Sequence, residues 1–471
     1  MDAQHLETGQ VIDGFTLEQP LDPGGMASFW RVSRPGTDLP MVMKIPLMRQ
    51  GEDPITIVGF EVEQMILARL AGPHVPRFVA AGDFERPYIV MELVAGRSVR
   101  TLLDKTPLAA DEVASIGAKI AFALHDLHRQ HVIHLDLKPS NVILRDDGEA
   151  VLIDFGLSRH EQLPDLVAEE FDDPVGTGPY IAPEQVLRER GDSRSDIFAL
   201  GVILYFLATG ERPFGEPQRA AEWRRRLWRD PYPPRRWNEK VPPWLQEIIL
   251  RCLAVDPAER YATAAQLAFD LQHPDQVPLT ARATRRERDG PVAVALRWLR
   301  APKTATLRRH DVSTLLARAP IIMVAIDLAP HAEGLRDALT IAVRRVLATE
   351  PGARLACVNV LKTSRIGLDP VVDAQGRNPH LQRLVELRHW ARALPAATER
   401  ITYQVLESVD TASALVDYAR NNRIDHIVMG ARGSSPLRRL LGSVSAKVVA
   451  EAPCTVTVVR TRWGPAEAEP G

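Results

Sequence analysis

The chain has 471 residues, 45% apolar and 25% charged, with 58 basic against 60 acidic side chains and a formal net charge of -2. That length exceeds one hydrophobic core and predicts two or three domains, and the near-neutral balance gives no general attraction for nucleic acid. Cys252, Cys357 and Cys454 lie far apart without paired spacing, which argues against a disulfide framework or zinc site and fits a reducing cytoplasm.

The N-terminal MDAQHLETGQ carries no basic-then-apolar leader. The longest apolar stretch, around Ile197 to Thr209, is too short for a bilayer, so no transmembrane segment and a cytoplasmic location are expected. Residues 11–45 alternate strand-like runs with turns. Among them Leu21-Asp22-Pro23-Gly24-Gly25-Met26-Ala27-Ser28-Phe29 is a glycine-bearing turn; such backbone can lie close over phosphates, and alone it also reads as a plain hairpin. Met41-Val42-Met43-Lys44-Ile45 is an apolar strand interrupted by one lysine. Phe60 to Leu70 shows helical spacing, and Tyr88 to Val94 is a further apolar strand. Asp111 to His131 predicts a long amphipathic helix capped by Asp111. His125, His128 and His131 along it have no carboxylate cluster beside them and read as core or solvated residues.

Residues 131–156 read HVIHLDLKPSNVILRDDGEAVLIDFG. Two apolar runs, Val132-Ile133 and Ala150 to Ile153, each end in a polar cluster, and Asp146-Asp147-Gly148 supplies turn chemistry. The pattern predicts a β-hairpin that brings both clusters to one end. Two carboxylates, an amide and an ammonium would meet there, the set that phosphoryl transfer requires.

This pattern resembles the catalytic core of eukaryotic-type protein kinases, over roughly residues 12–273. The resemblance implies a bilobal α+β fold, ATP and Mg²⁺ as cofactors, and protein substrates with Ser/Thr acceptors. It makes Asp136 the group that accepts or orients the hydroxyl proton, and Lys138 the loop lysine of Ser/Thr kinases. Asn141 and Asp154 become the metal ligands. Lys44 becomes the holder of the α and β phosphates, paired with Glu63 or, as the alternative, Glu61. Asp22, Gly24, Gly25, Ala27 and Phe29 fall in the glycine-rich nucleotide loop. Met91 is the gatekeeper, and backbone groups of Glu92 and Val94 bind adenine.

The chain departs from the family in two places. Asp22 and Ala27 replace the outer glycines of the loop. Leu135 replaces the arginine that pairs with a phosphorylated activation segment, and between Gly156 and Gly176 the only hydroxyl side chain is Ser158. A kinase not gated by loop phosphorylation is therefore expected. The acidic run Glu169, Glu170, Asp172 and Asp173 reads as solvated, with no designated arginine. Both departures would also suit a nucleotide-binding scaffold with little catalysis, whereas retention of Lys44, Asp136, Asn141 and Asp154 together favours the enzyme.

Further along, Gly176 to Glu184 resembles the segment that positions the substrate. Thr177 is implied to hydrogen-bond Asp136 and Lys138, Glu184 to pair with Arg260, and Asp196 to cap the catalytic-loop backbone. Trp223 to Trp237 interleaves Arg and Trp and reads as a helix with Trp inward and Arg outward, with nucleic-acid binding or docking of an acidic substrate as the alternatives. Residues 276–317, strongly basic between 281 and 310 with one short apolar stretch at Val292 to Leu299, read as a linker with one helical segment; membrane binding is the alternative.

From residue 318 to 465, apolar strands alternate with helical patterns, which predicts a doubly wound parallel sheet. Asp327 ends the first strand, and Gly430, Gly433, Gly442 and Ser443 follow a later one, near Arg432, Arg438 and Arg439. This region resembles the universal stress protein family. The resemblance implies ATP binding by those five residues, with a structural glycine turn as the alternative, and a homodimer through the last strand, Val456 to Val459. The expected domains are 1–275, 276–317 and 318–465.

Overall fold

The computed structural model describes residues 6–21, 27–47, 55–83, 86–217, 219–301, 319–329, 332–350, 352–363, 379–394, 400–431 and 442–460. The chain forms two compact units, one of residues 1–275 and 279–315 and the other of residues 276–278 and 316–471.

The first unit opens with a six-stranded antiparallel sheet in the order β1-β2-β3-β4-β6-β5. Its strands are β1 (Val11–Ile12), β2 (Phe15–Pro20), β3 (Ala27–Ser33), β4 (Met41–Pro46), β5 (Phe78–Ala81) and β6 (Ile89–Glu92). Phe15, Leu17, Met41, Met43 and Ile45 bury their side chains almost completely in its core. Lys44 is the half-buried exception within β4, opposite Phe29 and Ile89. Helix α1 (Ile55–Leu67) buries Phe60, Val62, Ile66 and Leu67 together with Glu63.

Helix α2 (Ala110–Arg129) begins the larger lobe. Its N-cap is Ala109, which makes no side-chain cap bond, so Asp111 is not the cap. Asp111 and Glu112 instead lie in the first turn, where a carboxylate interacts favourably with the helix dipole. Helix Arg194–Thr209 is buried along nearly its whole length and ends at Gly210 with φ 76°, the left-handed stop that glycine adopts without strain. A Cβ at Gly117 would meet Leu204 Cδ2 at 2.6 Å and Leu271 Cδ1 at 3.0 Å, so α2 packs closely on that helix and on Ala264–Gln272.

The hairpin expected from the two apolar runs forms differently. Ala150–Leu152 pairs with Val142–Leu144 across the Asp146-Asp147-Gly148 turn. Val132–Ile133 pairs with Arg159–His160. The turn closes only the nearer strands, and Val132–Ile133 lies too far back in the chain to be reached by so tight a reversal. The polar clusters still converge, because Ile153 N–H donates to Asn141 O at 3.0 Å and His134 Nε2 lies 3.2 Å from Ile153 O.

The segment expected as a tether is packed onto this lobe from Thr280 through residue 301. Gln246 Nε2 donates to Arg282 O at 2.7 Å and Arg285 O at 2.9 Å, and Glu247 accepts from Thr280. Arg297, on helix Pro291–Arg300, reaches Asp230 at 2.6 Å. Its basic side chains suggest a free linker only because their acidic partners lie far away in sequence.

The second unit is a five-stranded parallel sheet in the order Ile401–Ser408, Arg354–Lys362, Ile321–Ala325, His426–Gly430, Thr455–Val459. Helices Glu333–Thr349, Pro379–Ala391, Thr411–Asn421 and Ser443–Glu451 connect and flank it, the doubly wound arrangement expected from the alternation. Ile322, Val324, Leu355, Cys357 and Val428 form the centre of its core.

Candidate active site

Three segments bring their polar groups to one cleft. β4 contributes Lys44, α1 contributes Glu63, and the loops flanking Val142–Leu144 and Ala150–Leu152 contribute Asp136, Lys138, Asn141 and Asp154. Lys44 Nζ contacts Glu63 Oε2 and lies 3.4 Å from Asp154 Oδ1. Glu63 is 1% exposed whereas Glu61 faces solvent, which settles the choice between them. Burial pulls the Lys44 ammonium down, but the Glu63 and Asp154 carboxylates outweigh it and the net shift is upward. Burial pushes Asp154 up, and Lys44, Lys138 and His134 overcome it, so this carboxyl sits below its ordinary range and is ionised at neutral pH.

Backbone contacts hold these groups in place. A Cβ at Gly59 would lie 3.3 Å from Gly156 O, and one at Gly156 would lie 3.1 Å from Gly59 O. Helix α1 is thus seated directly on the turn after Asp154. Leu135 (φ 61°) and Asp154 (φ 69°) occupy the left-handed region, which non-glycine residues enter only when their surroundings hold them there. Asp196, 0% exposed, supplies that hold at Leu135. It accepts from His134 N–H at 2.9 Å and Leu135 N–H at 2.8 Å, and His128 Nε2 braces it at 2.9 Å. Gln185 Nε2 donates to Leu135 O at 2.8 Å. His125 and His128 are both buried in the core and His131 contacts Glu161, so the three histidines form no shared site.

Asp136 stands at the centre. Its Oδ1 accepts from Thr177 Oγ1 at 2.6 Å and Thr177 N–H at 3.2 Å, and its Oδ2 accepts from Lys138 Nζ at 2.6 Å. Lys138 Nζ also lies 3.3 Å from Thr177 Oγ1. Asn141 directs Nδ2 to Asp136 O at 3.0 Å, and its Oδ1, which accepts from Ser140 Oγ at 3.3 Å, is the oxygen that could serve a cation. One carboxylate and one amide oxygen suit a hard divalent cation that completes its shell with phosphate oxygens. Glu184 takes two bonds from Arg260, at 2.7 and 2.8 Å, as the resemblance implied.

At the end of β6, Glu92 N–H donates to Arg77 O at 2.9 Å and its side chain pairs with Arg145 at 2.6 Å. The Glu92 side chain therefore serves the fold, and its carbonyl and the backbone of Val94 are the groups available to a base. Phe29 and Ala27 lie on β3, with Lys44 Nζ 5.8 Å from the Phe29 ring centre. Asp22, Gly24 and Gly25 lie outside the described residues.

Sequence reasoning missed Asp165. It caps helix Leu166–Glu170 through Ala168 N–H at 3.2 Å and accepts from Arg190 Nε at 3.1 and 3.0 Å. Arg190 Nη2 also reaches Leu157 O at 2.9 Å. Within the run read as solvated, Asp172 is fully exposed and pairs with Arg188 at 3.4 Å. Nothing in the sequence separates Arg190 from Arg188; only the fold leaves the Arg190 side chain 9% exposed against 45% for Arg188.

In the second unit Asp327 follows the first strand and accepts from Ala329 N–H at 3.0 Å. It lies where the strand order reverses, the usual ligand edge of such sheets. Gly442 and Ser443 begin helix Ser443–Glu451. Gly430 has a packing role, since a Cβ there would meet Leu335 Cδ2 at 2.5 Å. Gly433 and Arg432, Arg438 and Arg439 lie outside the described residues.

The protein kinase domain family matches residues 15–273, and the universal stress protein family matches residues 320–460. The serine/threonine-protein kinase PknL of Mycobacterium tuberculosis is 30% identical over 269 residues, which cover 57% of this chain and 67% of PknL. The serine/threonine-protein kinase pkn3 of Myxococcus xanthus is 32% identical over 275 residues, 56% of this chain and 50% of pkn3. Among solved structures, the kinase domain of Mycobacterium tuberculosis PknI is 24% identical with a TM-score of 0.44, covering 57% of this chain and 99% of that chain.

Proposed function

Because the chain belongs to the protein kinase family and carries a universal stress protein domain behind its kinase domain, we propose that it transfers the γ-phosphate of ATP to serine or threonine hydroxyls of proteins. The observation that carries this reading is Asp136, bonded through one oxygen to Thr177 and through the other to Lys138. An acceptor hydroxyl taking the place of the Thr177 contact would meet a carboxylate ready to receive its proton, with the Lys138 ammonium beside the transferring phosphate. Lys44, kept cationic by Glu63, would steady the α and β phosphates. Asn141 and Asp154 would hold Mg²⁺, which supplies neutralisation of phosphate charge. Purified protein with labelled ATP should phosphorylate a generic protein acceptor; absence of transfer to any acceptor counts against the reading.

We also propose that this activity needs no phosphate on the activation segment. Leu135 is buried and offers no cation, and Ser158 is buried with its hydroxyl donated to His134 O at 3.0 Å. The Asp165–Arg190 pair supplies a permanent carboxylate–guanidinium anchor of the kind that a phosphate would otherwise create. Phosphatase-treated and untreated protein should work at equal rates, while Arg190→Ala should lower the rate about ten-fold by loosening the segment. Activity that vanishes on phosphatase treatment and returns on rephosphorylation would defeat this part.

For the second domain we propose adenine-nucleotide binding at the edge formed by Asp327, Gly442 and Ser443, and pairing of two copies through the last strand. The helix N-terminus at Ser443 suits phosphate, and Thr455–Val459 is an edge strand with His426–Gly430 at its side. Sedimentation of the full chain should give a dimer. A Lys44→Met variant, impaired at the kinase site, should still bind nucleotide. A monomer at all concentrations removes the pairing, and loss of all binding removes the second nucleotide site.

A further inference from the structure

The segment rich in Arg and Trp does not form the single helix expected from its sequence. It breaks into Ala220–Trp223 and two tight turns, Arg224–Leu227 and Pro234–Arg236. The prolines at 231, 233 and 234 interrupt any longer helix. The burial is also opposite to expectation at two positions: Arg226 is 2% exposed and Trp237 is 48% exposed.

This segment supports the stretch that presents the acceptor. A Cβ at Gly178 would meet Pro217 O at 2.4 Å and Trp223 Nε1 at 3.0 Å, so the two stretches touch with no room for a side chain. Trp223 Nε1 donates to Pro217 O at 3.1 Å. Arg226 donates to Gly178 O at 2.8 Å and to Ile181 O. Its Nε is buried and has no hydrogen-bond partner among the described residues. Burial alone pulls the Arg226 guanidinium down to about 10, as expected for a buried cation short of negative charge.

Beside Arg226 is a cavity of about 430 Å³ whose wall includes Arg212, Arg225, Arg229 and Arg288. Of the acids on that wall, Glu216 is paired with Arg212 at 3.1 Å and Asp230 with Arg297 at 2.6 Å. Arg225 and Arg229 face solvent and make no ion pair among the described residues. Arg288 stacks 3.5 Å above the Tyr232 ring, which fixes its guanidinium at the rim. With Arg226, five arginines line the wall against Glu216, Glu222 and Asp230, next to the residue that follows Thr177. With the Trp223 indole N–H occupied and Arg226 turned inward, the segment does not present the open row of rings on which successive bases stack.

We propose that this cavity is a docking subsite for the anionic side chain of a protein substrate: an aspartate, a glutamate or a phosphorylated residue a few positions from the acceptor serine or threonine. The substrate assignment rests on the kinase reading above. Arg226 ties the cavity wall to Gly178 O at 2.8 Å, so the cavity adjoins the stretch that would hold residues near the acceptor. Several guanidinium groups converging on one partly enclosed site recognise carboxylate or phosphate by charge-assisted hydrogen bonds.

The test uses the full-length chain and fluorescent peptides that share one serine, flanked by alanine, aspartate, phosphoserine or lysine. Binding is read by anisotropy at low salt and at about 0.5 M salt. The aspartate peptide should bind about ten-fold more tightly than the alanine peptide, more weakly in high salt, and phosphoserine should exceed aspartate. Arg225→Glu combined with Arg229→Glu should abolish the preference and bind the lysine peptide better than wild type does. Equal binding of all peptides by wild type overturns the proposal. So does a charge-reversed variant that loses the acidic peptide without gaining the lysine one. Turnover of the same peptides with ATP is scored separately: absence of transfer defeats the kinase reading, while the binding order decides the subsite alone.

Discussion

Asp136→Asn should lower phosphoryl transfer by about three orders of magnitude and leave nucleotide binding largely intact. The range for a removed general base is about 10² to 10⁴, and the geometry here puts the loss in the middle. The carboxylate accepts from Thr177 on one oxygen and from Lys138 on the other. An asparagine would direct an N–H₂ group at one of these donors, so it loses the proton acceptor and misplaces a neighbour as well. Lys44, Glu63 and Asp154 are tied to β4, α1 and the following turn and do not depend on Asp136. ATP should therefore still raise the melting temperature of the variant, by about as much as for wild type. A variant that transfers phosphate at more than a tenth of the wild-type rate would remove Asp136 from its assigned role.

Arg260→Ala should destabilise the first unit by about 3–5 kcal/mol. Arg260 is 0% exposed at its side chain and donates to Glu184, Arg194 O, Ala254 O and Val255 O. Truncating it leaves the Glu184 carboxylate buried with Ser195 Oγ at 2.7 Å as its remaining partner. Urea denaturation of the two proteins measures the difference. Removing Glu184 in the same chain should recover part of the loss, because the lone buried charge is then gone. Additive effects would mean that the pair contributes through unrelated contacts.

The groups that meet in the cleft were legible in the sequence because each depends on a residue type at a fixed local spacing. Asp136, Lys138 and Asn141 lie within one loop, and Asp154 lies just beyond a strand. Lys44 was visible as a cation inside an apolar strand. The choice of Glu63 over Glu61 needed the burial of one helix face. What the sequence did not disclose depends on long-range closure. The strand partner of Val132–Ile133 lies beyond the Asp-Phe-Gly turn, and no local pattern encodes that choice. The basic stretch after residue 278 looked like a tether because Asp230 and Glu247, which hold it, belong to distant helices and loops. Arg190 and Arg226 read as two more surface arginines among many, and only the packed fold shows that they are held against backbone carbonyls and, for Arg190, an aspartate. Ala109 replaced Asp111 as the helix cap because the helix starts two residues earlier than its polar signal suggests.

The absence of side chains where Gly59 meets Gly156 makes that contact a gauge for the whole cleft. A Cβ at either position would crowd the facing carbonyl oxygen, at 3.3 Å from Gly59 and 3.1 Å from Gly156, so a bulkier residue there would act as a wedge that lifts α1 and carries Glu63 away from Lys44.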